Sequence, residues 1–398
     1  MPPAYYLNRG GEMSKNVEKT IAKIFNEISD GLMTGQMGKL PKIALTGIGS
    51  EHGEAELLEA AKIAAKKSID VNFIGTMEAE RVKTHKVTTE EECHKKMDEL
   101  LASGEADAAV TMHYPFPIGV ATVGRVTTPG VGKEIFIATT TGTSSTDRVE
   151  GLVKNAIYGI ITAKACGIAN PTVGIINIDG AQQAFNNLKT LKDGGYNINF
   201  AESKRADGGC IFRGNDILTG AADIVVCDSL TGNLIIKMLS SFTTGGSYES
   251  VGYGYGPGVG KGYDKIVMIV SRASGAPVVA GAIEFAADLV NGGYHQVAAD
   301  EFKAAEKAGL EGILAKIKAS SKASAGASAE EVKAPPKEVV TAEIAGIEIM
   351  ELDDAVAALW KAGIYAESGM GCTGPIVLIS EANKDKAAEI LTEAGFIS

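Results

Sequence analysis

The stretch Ala222-Asp-Ile-Val-Val-Cys-Asp-Ser-Leu-Thr-Gly-Asn233 decides the fold of this chain. Its apolar run, residues 224–227, has the length of a buried strand and ends on the acidic residue Asp228. A Thr-Gly-Asn turn then opens an apolar segment of helical length, residues 232–242. A strand that passes through a polar turn into a helix is half of a βαβ unit. The stretch therefore predicts an α/β protein with a mostly parallel sheet.

The same alternation continues on both sides of this stretch. Further strands are predicted at residues 42–45, 71–74, 108–111, 134–139, 173–178 and 264–270. Helices are predicted at residues 54–67, 148–165 and 281–290, and from a cap at Thr88 or Thr89 to Ser103. Three glutamates follow that cap, where the helix dipole favours acidic side chains.

Composition divides the chain into four parts. Residues 1–40 are predicted to form an N-terminal helical extension, and residues 41–317 form the α/β body. Residues 318–340 are mostly Ala, Ser, Lys, Glu and Pro, a composition that predicts a mobile linker. Residues 341–398 are predicted to form a small βαβα module, whose size is marginal for independent stability.

Charge and cysteine content exclude several classes of function. The chain has 398 residues and a formal net charge of −11, without a cluster of Lys and Arg, so nucleic acid is not an expected partner. No apolar run approaches the ~20 residues that a membrane span needs, and residues 1–11 have no apolar h-region, so secretion is not expected. The five cysteines show no C-x-x-C spacing. We therefore expect a cytoplasmic protein without a disulfide framework, bound metal or bound cofactor.

Two glycine-rich segments imitate nucleotide-binding motifs. Gly256-Pro-Gly-Val-Gly-Lys-Gly262 lacks the Ser or Thr that a P-loop needs for magnesium, and it is predicted to be a flexible lid. Gly47-x-Gly49-x-x-x-Gly53 has one residue too many for a dinucleotide fingerprint. The strand after it ends in Gly75 instead of an acid for the ribose. Neither segment predicts a nucleotide site.

Two histidines are candidate substrate contacts. His52 and His113 lie in loops that follow predicted strands, where ligands gather in such sheets. The alternative is a structural or solvated role for both.

Several segments, in the same order, resemble PlsX-type phosphate acyltransferases and, more distantly, phosphotransacetylases. They are residues 43–53, 102–110, 167–177 and 222–233, within a region of similarity from about 42 to 290. The resemblance implies a two-lobed α/β/α body like that of isocitrate and isopropylmalate dehydrogenases. It also implies that acyl and phosphate groups bind in the cleft between the lobes.

The resemblance further implies that Asp228, Thr231, Gly232 and Asn233 line this cleft. Free N–H groups at the start of a helix favour an anion, which makes the placement physically reasonable. The alternative is that Thr231 and Asn233 only cap their own helix.

One feature of the phosphotransacetylases has no clear match here. Their Ser-Arg pair holds phosphate, but Gly281-Ala282 falls near the corresponding place in this chain. Ser271-Arg272 lies nearby, one helical turn too early. The sequence therefore leaves phosphate binding in this cleft unassigned.

The end of the chain resembles a second, narrower group. The body, the linker and the segment Glu367-Ser-Gly-Met-Gly-Cys-Thr-Gly-Pro375 together resemble the alpha subunits of component C of glycine/sarcosine/betaine reductase complexes. That resemblance implies that Cys372 receives an acetyl group from the carboxymethylated selenoprotein, component A. Phosphate, the co-substrate, then releases acetyl phosphate. The implied partners are the component C beta subunit, component A and, indirectly, the substrate-specific component B.

The residues around Cys372 suit such chemistry. Gly371, Thr373 and Gly374 leave the sulfur unhindered, and backbone N–H groups in such a loop can converge on a thiolate or a thioester oxygen. The alternative is a small buried cysteine in a tight glycine-rich turn.

Two other functions stay open on the sequence. A free-standing PlsX-type phosphate acyltransferase of phospholipid synthesis would explain the body but not the module. A non-catalytic scaffold subunit would explain why the Ser-Arg pair has no clear match.

Overall fold

The computed structural model describes residues 40–204, 208–326, 333–347, 351–371 and 374–397. In the N-terminal extension it describes Ile21, Ile24, Phe25, Ile28 and Ser29, all of them helical and exposed. The rest of that predicted extension, before Leu40, lies outside the described residues.

The body alternates strands and helices along most of its length. Its strands are β1 (Lys42–Thr46), β2 (Asp70–Gly75), β3 (Lys83–Lys86), β4 (Ala108–Thr111), β5 (Val120–Thr127), β6 (Glu134–Thr143), β7 (Thr172–Ile176), β8 (Asn199–Phe200), β9 (Ile211–Phe212), β10 (Ile224–Val226), β11 (Gly256–Val259) and β12 (Val267–Ile269). Its helices are α1 (Glu54–Ala65), α2 (Glu90–Ser103), α3 (Arg148–Ala165), α4 (Ala181–Asp193), α5 (Gly214–Leu218), α6 (Ser229–Ser241), α7 (Ala276–Asn291), α8 (Tyr294–Lys307) and α9 (Leu310–Gly326).

All twelve of these strands belong to one sheet, in the order β3-β2-β1-β4-β12-β11-β5-β6-β10-β7-β8, with β9 also paired to β7. Neighbours from β3 to β12 are parallel, and so are neighbours from β6 to β8. Between these two lobes, β11 runs antiparallel to β12 and β5, and β5 runs antiparallel to β6. The predicted α/β fold is confirmed. The antiparallel centre was not predicted.

Local sequence explains the predicted helix starts. Thr89 caps α2 in a full capping box with Glu92, because each side chain binds the other residue's backbone N–H. Asp147 caps α3 by accepting a hydrogen bond from the Glu150 N–H. Both helices end where the sequence predicts, at Ser103 and Ala165.

The predicted lid is wrong. Gly256–Val259 is strand β11, buried in the middle of the sheet. Gly256 has a φ of +86°, and a Cβ there would lie 1.7 Å from the carbonyl oxygen of Val123. A Cβ on Gly258 would lie 2.4 Å from the ring of Phe116. These glycines are needed because the chain passes this close to its neighbours.

The predicted linker and module also need correction. Helix α9 runs to Gly326, so the first part of the predicted 318–340 linker is helical. The module contains β13 (Ala342–Ala345), α10 (Leu352–Lys361), β14 (Ala366–Gly371), β15 (Gly374–Ile379) and α11 (Lys384–Glu393). The expected βαβα order is therefore βαββα.

The three strands of the module form an antiparallel sheet of their own, in the order β13-β15-β14. A separate apolar core holds it to the two helices, with Leu359, Ala366, Val377, Ile379 and Leu391 fully buried. Strand β14 was missed because its Gly-Met-Gly run is typical of a loop.

Among the described residues of the whole chain, no helix combines the length and apolarity that a bilayer span requires.

Candidate functional site

The loops after β1 and β12 meet at the carboxyl edge of the first lobe, β3 to β12. The Glu51 N–H donates to the Arg272 carbonyl over 2.9 Å. His52 donates from Nε2 to the Ala273 carbonyl over 3.1 Å, and its exposed ring lies 5.0 Å from the ring of Tyr248. His52 is therefore part of a junction between loops, with its ring open to solvent.

Ser271 and Arg272 lie at this same junction. They follow β12 directly and precede α7, which begins at Ala276 and not at residue 281 as predicted. The early start of α7 puts Gly281 and Ala282 inside the helix, where both are buried. Ser271-Arg272, the pair that the sequence placed one helical turn too early, therefore lies at the end of a strand, where ligands bind in such sheets.

Arg272 is anchored to the first lobe. Its guanidinium donates to the Gly49 carbonyl over 2.7 Å and forms an ion pair with Glu90 of α2. The Arg272 side chain still has 43% exposure, so further hydrogen bonds are open to it.

Lys237 brings the second lobe to the same place. It lies on α6, which packs against β6 and β5, and its Nζ lies 3.1 Å from Ser271 Oγ. The same Nζ lies 3.0 Å from Glu249, a carboxylate whose other oxygen accepts a hydrogen bond from Ser274 over 2.8 Å. Glu249 and Ser274 are buried. We call Lys237, Glu249, Ser271 and Ser274 the cleft cluster.

A second carboxylate lies beside His52. Glu56 accepts hydrogen bonds from the Tyr248 hydroxyl and, over 2.7 Å, from the Ala276 N–H at the start of α7. These hydrogen bonds lower the pKa of Glu56, with that from Tyr248 having the larger effect. Desolvation and the bond to Glu56 raise the pKa of Tyr248 to about 12, so this hydroxyl stays protonated at neutral pH.

The predicted turn at Asp228 is occupied by the chain itself. The Asp228 carboxylate accepts from the N–H groups of Leu230 and Thr231, each over 3.0 Å, and from the Thr231 hydroxyl over 2.6 Å. The first-turn donors that were to hold an anion thus already bind a carboxylate. The geometry makes Asp228 the cap of this helix, a role that the alternative interpretation gave to Thr231 and Asn233. A substrate contact by Asp228 or Thr231 stays a prediction.

The remaining predicted site residues of the body are Gly232, Asn233 and His113. Gly232 is a packing position, because a Cβ there would lie 1.8 Å from the Thr139 carbonyl of β6. Asn233 is half-buried on α6. His113 is exposed in the loop after β4, with its ring 6.4 Å from that of His94. Among the described residues, no side-chain hydrogen bond or ion pair joins Asn233 or His113 to the cleft cluster, so their substrate contacts stay predictions.

Four of the five cysteines lie in the body and have raised pKa values. Desolvation raises the pKa of Cys166 and Cys210 to about 12, and it also raises the pKa of Cys93 and of the fully buried Cys227. A raised pKa lowers the thiolate fraction at neutral pH, so these four are poorer nucleophiles than an ordinary cysteine.

The fifth, Cys372, lies outside the described residues together with Thr373. The strands on either side are described: β14 ends at Gly371, β15 begins at Gly374, and these two glycines are paired across the ladder. The loop predicted around Cys372 is thus a β-hairpin up to these glycines, because cross-strand pairing extends to both of them.

The one acidic residue of β14, Glu367, lies well back along the strand. Three strand residues separate Glu367 from Gly371, so the two are four steps or about 13 Å apart at the rise of a β-strand. Glu367 also accepts from the Tyr365 hydroxyl over 2.6 Å and lies 3.3 Å from Lys337. Both contacts lower the pKa of Glu367, and Lys337 partly offsets its charge.

The cleft cluster was missed in the sequence because nothing local marks it. Glu249 lies in a polar loop and Lys237 on an amphipathic helix, positions that usually face solvent. The one available signal was Ser271-Arg272, a polar pair directly after a buried strand.

Among the described residues, no group of His, Cys, Asp and Glu side chains is arranged to hold a metal ion.

Comparison with known proteins shows which family this chain resembles. The family described as "Fatty acid synthesis protein" matches residues 41–378. The chain is 56% identical over 385 residues to the glycine/sarcosine/betaine reductase complex component C subunit alpha of Peptoclostridium acidaminophilum, covering 96% of this chain and all of that protein. It is 28% identical over 239 residues to the phosphate acyltransferase of Staphylococcus saprophyticus, covering 50% of this chain and 70% of that protein.

Among solved structures, a branched-chain phosphotransacylase from Enterococcus faecalis aligns with 63% of this chain and 99% of its own, at 18% identity and a TM-score of 0.47. The family match extends over residues 41–378 and the 56% identity over 96% of the chain, and together they establish the family. The chain belongs to the fatty acid synthesis protein family and, within it, to the family of component C alpha subunits of glycine/sarcosine/betaine reductase complexes.

Proposed function

We propose that this chain is the acetyl-transfer subunit of a glycine/sarcosine/betaine reductase complex. Cys372 accepts an acetyl group from the carboxymethylated selenoprotein component as a thioester, and phosphate cleaves that thioester to acetyl phosphate. The similarity to the Peptoclostridium acidaminophilum subunit supports this proposal, because a match over 96% of the chain includes most of the cysteine module.

The observation that carries the proposal is the state of the other thiols. An ordinary cysteine, with a pKa of about 8.5, is a few per cent thiolate at neutral pH. Desolvation raises the pKa of Cys93, Cys166, Cys210 and Cys227 and so lowers their thiolate fraction below that level. Cys372 is the remaining thiol of the chain, and it lies between the paired ends of β14 and β15.

Loading the thiol is a balanced exchange with the donor protein. The bond between selenium and the methylene carbon breaks, and that carbon takes a proton to become a methyl group. The carboxyl carbon loses one oxygen as water and gains the Cys372 sulfur. The two electrons that the acetyl group gains come from selenium, which leaves oxidised and bonded to a second thiol of the donor.

Phosphorolysis needs no redox change. A phosphate oxygen attacks the thioester carbonyl, the new C–O bond forms, the C–S bond breaks, and Cys372 leaves as a thiolate. We assign phosphate to the junction of the lobes, near Ser271, Arg272 and Lys237. The guanidinium and ammonium groups provide charge-assisted donors there, and the carboxyl edge of β12 is the usual position for a ligand.

Replacing one sulfur atom by oxygen tests the carrier role. In the full chain assembled into the complex, Cys372→Ser should abolish acetyl phosphate formation. It should also abolish the label on this chain, but not on the carboxymethylated donor, when labelled substrate is supplied without phosphate. The matched control is Cys166→Ser, which should keep both, because that thiol is held protonated in the body. Retention of acetyl phosphate formation by Cys372→Ser would overturn the proposal.

The similarity to phosphate acyltransferases favours one other candidate. A free-standing phosphate acyltransferase would use acyl carrier protein and would stay active after deletion of residues 338–398. A scaffold subunit would tolerate both that deletion and Cys372→Ser, as long as the complex assembles. Activity with acyl carrier protein in the truncated chain would identify the free-standing acyltransferase, and acetyl phosphate formation by the complex that survives Cys372→Ser would identify the scaffold.

A further inference from the structure

Helix α6 has an exposed apolar face that the cleft does not use. Leu230, Leu234, Met238 and Phe242 are between 53% and 70% exposed. They follow one another at four-residue intervals, which places them along one side of the helix. We call these four residues the α6 stripe.

No charge interrupts this surface. From Ser229 to Tyr248 the chain contains no acidic residue, although it has 49 in total. The one basic residue in that stretch, Lys237, is paired with Glu249 and Ser271 in the cleft cluster. An uncharged apolar face of this length on a monomer is typical of a surface that another apolar element covers.

The N-terminal extension carries a matching face. Ile21, Ile24, Phe25 and Ile28 are helical and between 38% and 68% exposed. Their spacing of three and four residues puts them on one side of a helix. We call them the N-terminal face. Together with the α6 stripe, it accounts for eight of the thirteen large exposed apolar residues that the described part of the chain contains.

The connecting chain is long enough for the two faces to meet. From Ile28 to the start of β1 at Lys42, fourteen residue steps reach up to about 45 Å when extended. Strand β6, on which α6 packs, is five places from β1 in the sheet, or about 24 Å. The remaining length is sufficient to cross the layer of helices.

We propose that the N-terminal face docks on the α6 stripe of the same chain, forming a helix pair over the second lobe. The extension lies before residue 41, where the family match begins, so the docked helix is an addition to the shared body. Because α6 also carries Lys237, the docked helix would hold the wall of the cleft cluster in place. The proposal does not depend on the role of Cys372.

A disulfide trap tests the docking. Ile24→Cys and Leu234→Cys are combined in the full chain with Cys372→Ser, and a mild oxidant is added. We expect a 24–234 disulfide within one chain. In a mixture of labelled and unlabelled chains, it should join only peptides of the same label. The control pair, Ile24→Cys with Ile118→Cys, uses a residue that is 74% exposed outside the stripe and should stay unlinked.

Three results of the trap would overturn the proposal. A 234–234 bond between chains would assign the stripe to a second copy. A 24–234 bond between differently labelled chains would assign the extension to a partner chain. A 24–118 bond that forms as fast as the 24–234 bond would mean that the extension has no defined docking site on the body.

A labelling experiment avoids the need for a disulfide. Met238→Cys, again with Cys372→Ser, should react slowly with a maleimide in the intact chain. Adding Phe25→Asp should speed the reaction several-fold, because the docked helix would be released. Ser29→Asp, a charge placed on an exposed helical residue outside the N-terminal face, should leave the rate unchanged. An equal rate with Phe25→Asp would also overturn the docking.

Discussion

Two glycine-rich segments of this chain, β11 and β14, look alike in sequence, and each forms a strand. The atoms that surround their glycines are different. In β11, Gly256 faces backbone, because a Cβ there would overlap the Val123 carbonyl. In β14, Gly369 faces a side chain, because a Cβ there would lie 3.1 Å from the end of Leu378. Backbone cannot move aside, whereas the end of a leucine can.

The difference separates structural glycines from replaceable ones. Strand β11 lies in the centre of a twelve-stranded sheet, and its glycines allow two lobes to pack across it. Strand β14 is at the edge of a three-stranded sheet. Gly369, three residues before Cys372, is therefore not required by backbone packing, which leaves room for another reason to keep a glycine there.

The largest expected effect is at β11. Gly256→Ala should lower the free energy of unfolding by about 4 kcal/mol or more, since the new Cβ meets backbone and the residue keeps a left-handed φ. Urea denaturation followed by circular dichroism measures the change. The control, Gly262→Ala, also has a positive φ but open space around it, and should cost about 1–2 kcal/mol. Equal costs would restore the lid interpretation.

A smaller effect is expected at β14. Gly369→Ala should change the free energy of unfolding of the module by less than about 1 kcal/mol, because alanine suits a strand better than glycine while Leu378 must shift slightly. Thermal unfolding of the full chain, followed at the single Trp360, reports on the module. Gly363→Ala, with a φ of +77° in the same module, should be the more costly change. The reverse order would mean that β14 is as constrained as β11.

The smallest effect concerns the one charged residue of β14, Glu367. Hydrogen bonds from Tyr365 and Lys337 lower its pKa in the folded module. Its stabilising contribution is therefore present above the unfolded pKa of about 4.3 and is lost as pH falls through the lower folded pKa. The midpoint of urea unfolding in Glu367→Gln should be slightly below wild type at pH 7, and the difference should vanish near pH 3.

Lys337→Gln is the matched control for this experiment, because it removes part of the same contribution. A difference between wild type and Glu367→Gln that grows as pH falls would contradict the assigned contacts. A titratable contribution of this kind is possible in β14 but not in β11, whose residues carry no ionisable side chain.

Sequence patterns predicted the elements that follow local rules. The strand Ala108–Thr111 and the helices that end at Ser103 and Ala165 match the structure at those bounds, because apolar periodicity and caps act locally. Strand β11 could not be predicted, since Gly and Pro argue against a strand unless distant backbone approaches closely. That approach exists only after β5 and β12 have paired with it.

The candidate site was predicted less well than the fold. His52 was selected as a candidate only from its position after a predicted strand, and it lies at the junction of the loops. The buried carboxylate of Glu249 could not be selected in this way, because Lys237 and Ser274, which stabilise it, are distant in sequence. Asp228 was assigned to substrate although its cap bonds could have been inferred from the Asp-Ser-Leu-Thr order. For Cys372 the family resemblance carried the prediction, and it stays a prediction.

The length of α9 has a consequence for how the module would search for its partners. Because the helix continues to Gly326 and Lys337 already contacts Glu367 of the module, about ten residues, 327–336, join the two, in place of the longer linker that composition indicated. For a flexible chain of that length, the root-mean-square reach is about 17 Å. Effective concentration falls with roughly the −3/2 power of tether length, so it rises about 3.5-fold here. The end of α9 would then fix the small volume within which a tethered thioester can meet phosphate.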